Sequence, residues 1–369
     1  MIRTADGRLV VESAHTAVAE AHARTRVLLA GELIAAGSSR PSLFERLAAR
    51  LRRLGDSVVT TSSRPGRVWR VADMVVTAWS ARSHVDVSVV EVKGSAGLRR
   101  AEFLTRMLSG ANVPVVHLLR GADLADTAVE EPERLRRLLG LGQASVALSG
   151  YHYEALTHVG GVSEVIADPV EVGAYAFRAR RPAAPKLLWL CDARPMTTPA
   201  DIATVLTELV ASHPDVAVTL VTSWSAPQVA YAARDAAERS GVLAHLHVID
   251  ALKAADVRSL LQEHDVLVNA VDVDDSPVGL SEAMAAGMCV VGVDWGGASY
   301  LIADGVDGLL VKPRDPVGLA AAVKRLLSDP DLSERLSGAA HARAETFDWS
   351  RALPRWRSIL TRVAAKGDK

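Results

Sequence analysis

Short apolar runs alternate with amphipathic stretches along most of the chain. Residues 26–31 (RVLLAG) read as a buried strand entering a loop at 32–41, and the apolar spacing through 43–54 reads as a helix closed by Gly55. Apolar runs at 57–60, 85–90, 114–118 and 143–148 predict further strands, with helical patterns between them that are clearest at 99–108 and 132–139. A second series follows. Strands at 186–190, 216–221, 244–249, 266–269 and 289–293 alternate with helices at 199–212, 227–239, 254–263 and 281–286, and the chain closes with helical patterns at 316–327, 332–345 and 350–365. Alternation at this spacing predicts an α/β chain with two doubly wound, Rossmann-like parallel sheets. Ligands of such sheets bind at the carboxyl ends of the strands, which places 32–40 in a cleft.

A length of 369 residues suits two domains, each burying its own core. The boundaries read as a polar lead-in at 1–24 with an Ala-rich helical pattern at 14–23, a first domain at 25–177 and a basic, proline-rich exposed connection at 178–185 (RARRPAAP from 178). A second domain follows at 186–349, then a terminal segment at 350–369. Hydrophobic residues make up 49% and aromatics only 4%, so the cores are aliphatic. Forty-two basic against 43 acidic residues leave nothing global to draw the chain to nucleic acid or anionic lipid, although local patches stay open. Cys191 and Cys289 sit in apolar runs, which suits buried thiols in a reducing compartment. No apolar run approaches the roughly 20 residues of a spanning helix, and the N-terminus lacks the apolar core of a signal peptide. The expected location is cytoplasmic, with peripheral contact at the inner membrane face left open.

The stretch 271–308 (VDVDDSPVGLSEAMAAGMCVVGVDWGGASYLIADGVDG) carries the densest chemistry. Pro277 suits a helix entry, where its missing N–H costs nothing, and Gly287 suits a left-handed stop. Asp274 lies in the loop and Glu282 eight positions on, in the first turn of the helix. Amides of 281–283 point back toward that loop, so a phosphate can rest on the positive helix end while a carboxylate grips hydroxyls beside it. That pairing suits a nucleotide sugar.

The same stretch resembles the donor-binding segment of the family 4 glycosyltransferases, whose signature is a carboxylate, seven residues, a glutamate, Ala-Met-Ala-x-Gly and a later Gly-Gly. This chain reads Asp274-x7-Glu282, Ala283-Met284-Ala285-Ala286-Gly287 and Gly296-Gly297. The likeness continues through Asp304-Gly305-Val306-Asp307-Gly308-Leu309-Leu310-Val311, Pro313 and Asp315 to Phe347-Asp348-Trp349-Ser350. Asp274 stands where Glu is usual, as in a branch with Asp-x-x-Pro, here Asp274-Asp275-Ser276-Pro277.

The resemblance implies a GT-B fold, two Rossmann-like domains facing a cleft, with acceptor bound by the first, donor by the second, and the terminal helix crossing back to the first. It implies a retaining hexosyltransferase with a UDP-, GDP- or ADP-hexose as co-substrate, no further cofactor, no bound metal, and a glycan, lipid-linked or small-molecule acceptor. Glu282 is expected to accept from the ribose hydroxyls, and Val278, Gly279, Leu280 and Ser281 to act through backbone amides. Asp274 would contact sugar hydroxyls or cap the loop. Gly37 serves either close backbone approach or an ordinary turn. Arg120 and Asp123 are cleft candidates by family position, or else a surface turn with a local ion pair. Ser149-Gly150-Tyr151 resembles a family segment in which the serine caps a helix and the aromatic packs between domains, against a cap alone.

Departures from the family pattern accompany these matches. Cys191 stands where the branch has a phosphate-binding Arg, leaving Arg194 or Lys312 as candidate substitutes, while Ser38 and Trp224 replace expected glycines. They motivate a second reading, a weak or inactive homologue that binds nucleotide sugar or partners an active glycosyltransferase as a regulatory subunit. A GT-B epimerase is a third. His245-x-His247 is read as two imidazoles on one strand face without a third ligand, and His117 as a core histidine.

Overall fold

The computed structural model describes residues 24–31, 41–61, 67–191, 198–222, 227–250, 254–270 and 278–367. The helical pattern at 14–23 and the loop 32–40 lie outside them. The first half runs β1 (Arg26–Ala30), α1 (Leu43–Arg53), β2 (Ser57–Thr60), α2 (Arg67–Ala81), β3 (Val87–Val92) and α3 (Ser95–Ser109). It continues with β4 (Val115–Leu119), α4 (Leu124–Glu130), α5 (Pro132–Leu141), β5 (Ala144–Ala147), α6 (Gly150–Ala155) and β6 (Glu164–Val165). The second half holds β7 (Lys186–Cys191), α7 (Pro199–Val210), β8 (Ala217–Thr222), α8 (Pro227–Arg239), β9 (Leu246–Asp250), α9 (Ala254–Glu263) and β10 (Val266–Asn269). Then come α10 (Val278–Ala285), β11 (Cys289–Val293), α11 (Ala298–Leu301), β12 (Leu309–Val311), α12 (Pro316–Ser328), α13 (Pro330–Glu345) and α14 (Trp349–Gly367).

Both sheets are six-stranded and parallel, ordered β2-β1-β3-β4-β5-β6 and β12-β11-β10-β7-β8-β9. Buried parallel strands read as continuous apolar runs because helices cover both faces. Strand order reverses between β1 and β3 in one sheet and between β7 and β10 in the other, and those two crevices are where ligands bind doubly wound sheets. In the second, Leu190 pairs with Asn269 at the carboxyl end.

α14 places its apolar spacing, Trp349, Ala352, Trp356, Ile359, Leu360 and Val363, against Val87, Val89, Val116 and Leu118 of the first sheet. α2 to α5 cover that sheet's other face. The C-terminal segment is therefore part of the first core, and Trp356, fully buried, anchors it.

Several expectations need correction. The strand read at 85–90 runs from Val87 to Val92, because Asp86 leaves the sheet end to accept from the Arg26 backbone N–H at 2.7 Å and its Nε at 2.9 Å. α2 has apolar residues on its outer as well as its inner face, and the helical pattern expected between those strands was therefore left without bounds. His245 lies in a 3-10 turn ahead of β9 and its Nδ1 sits 2.9 Å from Val216 O, so the two imidazoles do not share a strand.

The connection at 178–185 is not exposed throughout. Arg180 is fully buried and donates to the carbonyls of Leu261 (2.9 Å), His264 (3.1 Å) and Ala286 (2.5 Å) and to that of Arg178, with Asp265 at 3.6 Å. Those oxygens belong to the ends of α9 and α10, where helix carbonyls lack intrahelical donors and the dipole favours a cation. Burial and the neighbouring Arg178 lower the guanidinium to about 10, so it stays charged at neutral pH.

Candidate functional site

At the carboxyl ends of β7 and β10 the chain leaves in opposite directions, toward α7 and toward α10. α10 starts at Val278, three residues earlier than its small-residue pattern suggested, so Glu282 falls past the first turn and not within it. Gly279 lets it press against the end of β7: a Cβ there would lie 2.7 Å from Leu190 Cδ1. Leu280, Ser281, Ala283 and Met284 are buried beneath the helix. From the other side α13 holds its end, with Ser337 donating to Gly287 O at 2.5 Å and His341 Nδ1 2.7 Å from Ala285 O. Gly287 turns the chain at φ +72° toward β11, filling the stop role read from the sequence.

Glu282 stands half-buried on this helix, and its Oε1 accepts from the Tyr175 hydroxyl at 2.7 Å. The Arg258 guanidinium lies over the Tyr175 ring, 5.8 Å from its centroid. Asp274, Gly37 and Arg194 lie outside the described residues, as do Ser38 and Trp224. Lys312 is exposed just past β12, the edge strand, two places from β10.

In the first half, Arg120 follows β4 and Asp123 precedes α4. They share a corner with two residues at the end of β3: Arg120 Nη1 and Lys93 Nζ each lie 3.6 Å from Oε1 of Glu91, which is 3% exposed. Gly94 makes room for the Asp123 carboxylate, since a Cβ there would lie 2.3 Å from Oδ2. His152 Nε2 sits 3.2 Å from Gly121 O. A buried carboxylate flanked by two cations at a strand end resembles a polar site more than a loose surface turn.

Across the cleft, α6 meets α11. Ser149 caps α6 by accepting from the His152 amide at 3.3 Å, and Tyr151 lies edge-on to Tyr300 with ring centroids 6.4 Å apart. Tyr300 donates to Glu154 Oε2 at 2.5 Å, and burial, with that carboxylate beside it, pushes its phenol up to about 12. The serine and aromatic thus do both things the family segment implied. The carboxyl edges of the two sheets face one another here.

Other motif residues are structural. Asp304 Oδ1 accepts from Leu310 N and Asp307 Oδ1 from Ala303 N, closing the turn before β12, and Asp348 Oδ2 accepts from Val172 N where the chain recrosses. His117 is fully buried with Nε2 3.0 Å from Thr105 Oγ1, and burial lowers it to about 4. Cys289 is buried, its thiol pushed up to about 12 by burial. Among the described residues no three His, Cys, Asp or Glu side chains gather as a metal cluster.

Residues 199–329 match a family model described as Glycosyl transferases group 1. The D-inositol 3-phosphate glycosyltransferase of Frankia alni is 46% identical over 69 residues, 19% of this chain and 17% of that protein. A glycogen synthase of Mycobacterium tuberculosis is 28% identical over 188 residues, 50% of this chain and 45% of its own. The matched stretch spans less than half the length of either relative. The crystal structure of Anabaena Alr3699/HepE in complex with UDP and glucose superposes with a TM-score of 0.71 at 16% identity, covering 92% of this chain and 100% of that one. The fold is GT-B.

Within this GT-B chain the sequence reading missed Tyr175, Arg258, Glu91 and Lys93. A glutamate inside the otherwise apolar run VSVVEV was the available signal for Glu91, since a charge in a buried strand needs a partner. Tyr175 gave none, lying 107 residues from Glu282.

Proposed function

We propose that the chain is a glycosyltransferase that moves a hexose from a nucleotide sugar to an acceptor held at the first half. The observation that carries this is Glu282, held half-buried on the helix at the β7–β10 crevice by the Tyr175 hydroxyl. A carboxylate so fixed is ready to accept from the two ribose hydroxyls, while the N-terminal amides of α10 face the diphosphate. The family match over 199–329 and the UDP named in the Anabaena complex support the donor class.

Transfer requires negative charge on the leaving diphosphate to be stabilised as the anomeric carbon becomes cationic, and preorganised donors are the main protein contribution. Amides of Val278 to Ser281 are the first such donors, with Arg194 the candidate cation from the loop after β7. Asp274 would grip the sugar hydroxyls and Gly37 would admit the donor from the first half. Arg120 and Asp123, with Glu91 and Lys93, form the polar corner on the acceptor side. Retention at the anomeric carbon accords with front-side attack, which needs little from a protein base.

The test is isothermal titration with UDP-, GDP- and ADP-glucose, with Glu282→Gln as control. One donor should bind, with affinity falling about ten-fold or more in the variant, the loss of a charge-assisted hydrogen bond. Absence of binding to all three would refute the donor site.

A further inference from the structure

The outer face of α2 and α3 is apolar where solvent should favour polar residues. Trp69 is 69% exposed, Val76 62%, Trp79 54% and Phe103 55%. On α2 the exposed positions Trp69, Ala72, Val76 and Trp79 recur at helical spacing, opposite the buried Met74, Ala78 and Ala81. Between the helices runs a groove of about 480 Å³ lined by Val75, Val76, Trp79, Phe103, Arg106 and Met107. A contiguous exposed patch of this kind marks an interaction surface.

Its charge selects the partner. Among the described side chains of the two helices, Arg99, Arg100 and Arg106 stand against Asp73 and Glu102. Glu102 is already engaged by Arg134 at 2.9 Å and Arg106 at 2.8 Å. Arg82, just past α2, lies 3.5 Å over the Trp79 ring. A two-fold contact between copies would set this basic face against itself, which costs like-charge repulsion. Exposed tryptophans flanked by arginines instead fit a lipid interface, with rings at the headgroup boundary and guanidinium groups on phosphates.

We propose that the α2–α3 face docks on an anionic bilayer surface. No helix among the described residues is long and apolar enough to cross a membrane, so the contact is interfacial. α2 and α3 both start from the carboxyl edge of the first sheet, which also carries the Arg120 corner. Docking sets the cleft mouth beside the bilayer, where a lipid-borne acceptor enters. That last step rests on the transferase reading, whereas vesicle binding does not.

The experiment is co-sedimentation of the full chain with vesicles of phosphatidylcholine plus phosphatidylglycerol, and with phosphatidylcholine alone, without donor. Binding should require the anionic lipid and weaken with salt. The pair Trp69→Ser with Trp79→Ser should weaken it by about ten-fold or more, from lost apolar burial. Arg99→Glu, which reverses an exposed cation, should cost about five-fold or more. Thermal unfolding of both variants should match the parent, because Trp69, Trp79 and Arg99 lie at the surface. No binding to anionic vesicles, or binding unchanged in the tryptophan variant, overturns the proposal. A concentration-dependent dimer abolished by the same tryptophan substitutions also overturns it, in favour of a second copy. Donor titration proceeds without vesicles, so failure here and failure of the donor site are told apart.

Discussion

Removing the hydroxyl oxygen of Tyr175, in the segment 168–180 that links the two halves, should weaken donor binding. In Tyr175→Phe the ring stays and the 2.7 Å hydrogen bond to Glu282 Oε1 is lost. A hydrogen bond to a charged group contributes about 1.5–3 kcal/mol net, and because both residues are only partly buried the lower end applies. About 1.5 kcal/mol is roughly ten-fold in affinity. If the hydroxyl acts by holding the carboxylate toward the ribose, the loss falls on nucleotide-sugar binding. The assay is a double-mutant cycle in titration calorimetry with Tyr175→Phe, Glu282→Gln and both together. Each single variant should bind the donor about ten-fold more weakly, and the double variant little worse than Glu282→Gln, since the hydroxyl then has no carboxylate to orient. Additive losses would refute the coupling. So would a lowered melting temperature with donor affinity intact, which would make the bond a tie between linker and helix and nothing more.

Three further outcomes are expected. Because His117 is buried neutral and lowered from 6.5 to about 4, its contribution is fully present above pH 6.5 and lost as pH falls toward 4, on the order of 3 kcal/mol. Urea midpoints across that window should fall, and His117→Gln should flatten part of the slope. Gly287→Ala forces φ +72° on an alanine whose Cβ would lie 2.7 Å from the Phe177 ring and 2.9 Å from Arg178 O, so urea unfolding should show a loss of about 2 kcal/mol or more. Arg180→Met strands the carbonyl of Leu261, leaves those of His264 and Ala286 with only the longer bonds from Arg178, and takes one of two cations from Asp265, which should cost about 3 kcal/mol by the same measurement.

The sheets were legible because strands covered on both faces are apolar throughout, as in VVHLL and CVVGV. The bounds of α2 were not, and for an informative reason: Trp69, Val76 and Trp79 are exposed, so the helix lacks the polar face that sets a clear period. The stretch 271–308 stood out through its motif, yet the motif does not distinguish Glu282, which accepts from Tyr175, from Asp304 and Asp307, which close a turn. RARRPAAP read as solvated because arginine is rarely buried, and only the fold shows that helix ends converge on Arg180. Tyr175 and Glu91 depend on contacts between distant segments, which no local pattern carries.

The linker joins these observations into one mechanical unit. Up to Glu171 it is tied to the first half: Arg46 donates to Asp168 Oδ1 and Pro169 O, each at 2.5 Å, and Arg50 pairs with Glu171. From Tyr175 onward it is tied to the second half, with Ala176 O accepting from Gln262 at 2.7 Å and the Arg178 amide donating to Ala286 O at 3.3 Å. Between them, Val170 and Val172 bond the returning chain at Asp348 and Trp349. The change of attachment therefore falls in a few residues where both crossings lie side by side. Beyond that point the linker grips α10 at its middle and at its end, by Tyr175 at Glu282 and by Arg178 and Arg180 at Ala286. Tyr175, Glu282 and α10 are thereby held together as one unit with the second half, so this segment sets the orientation of the carboxylate.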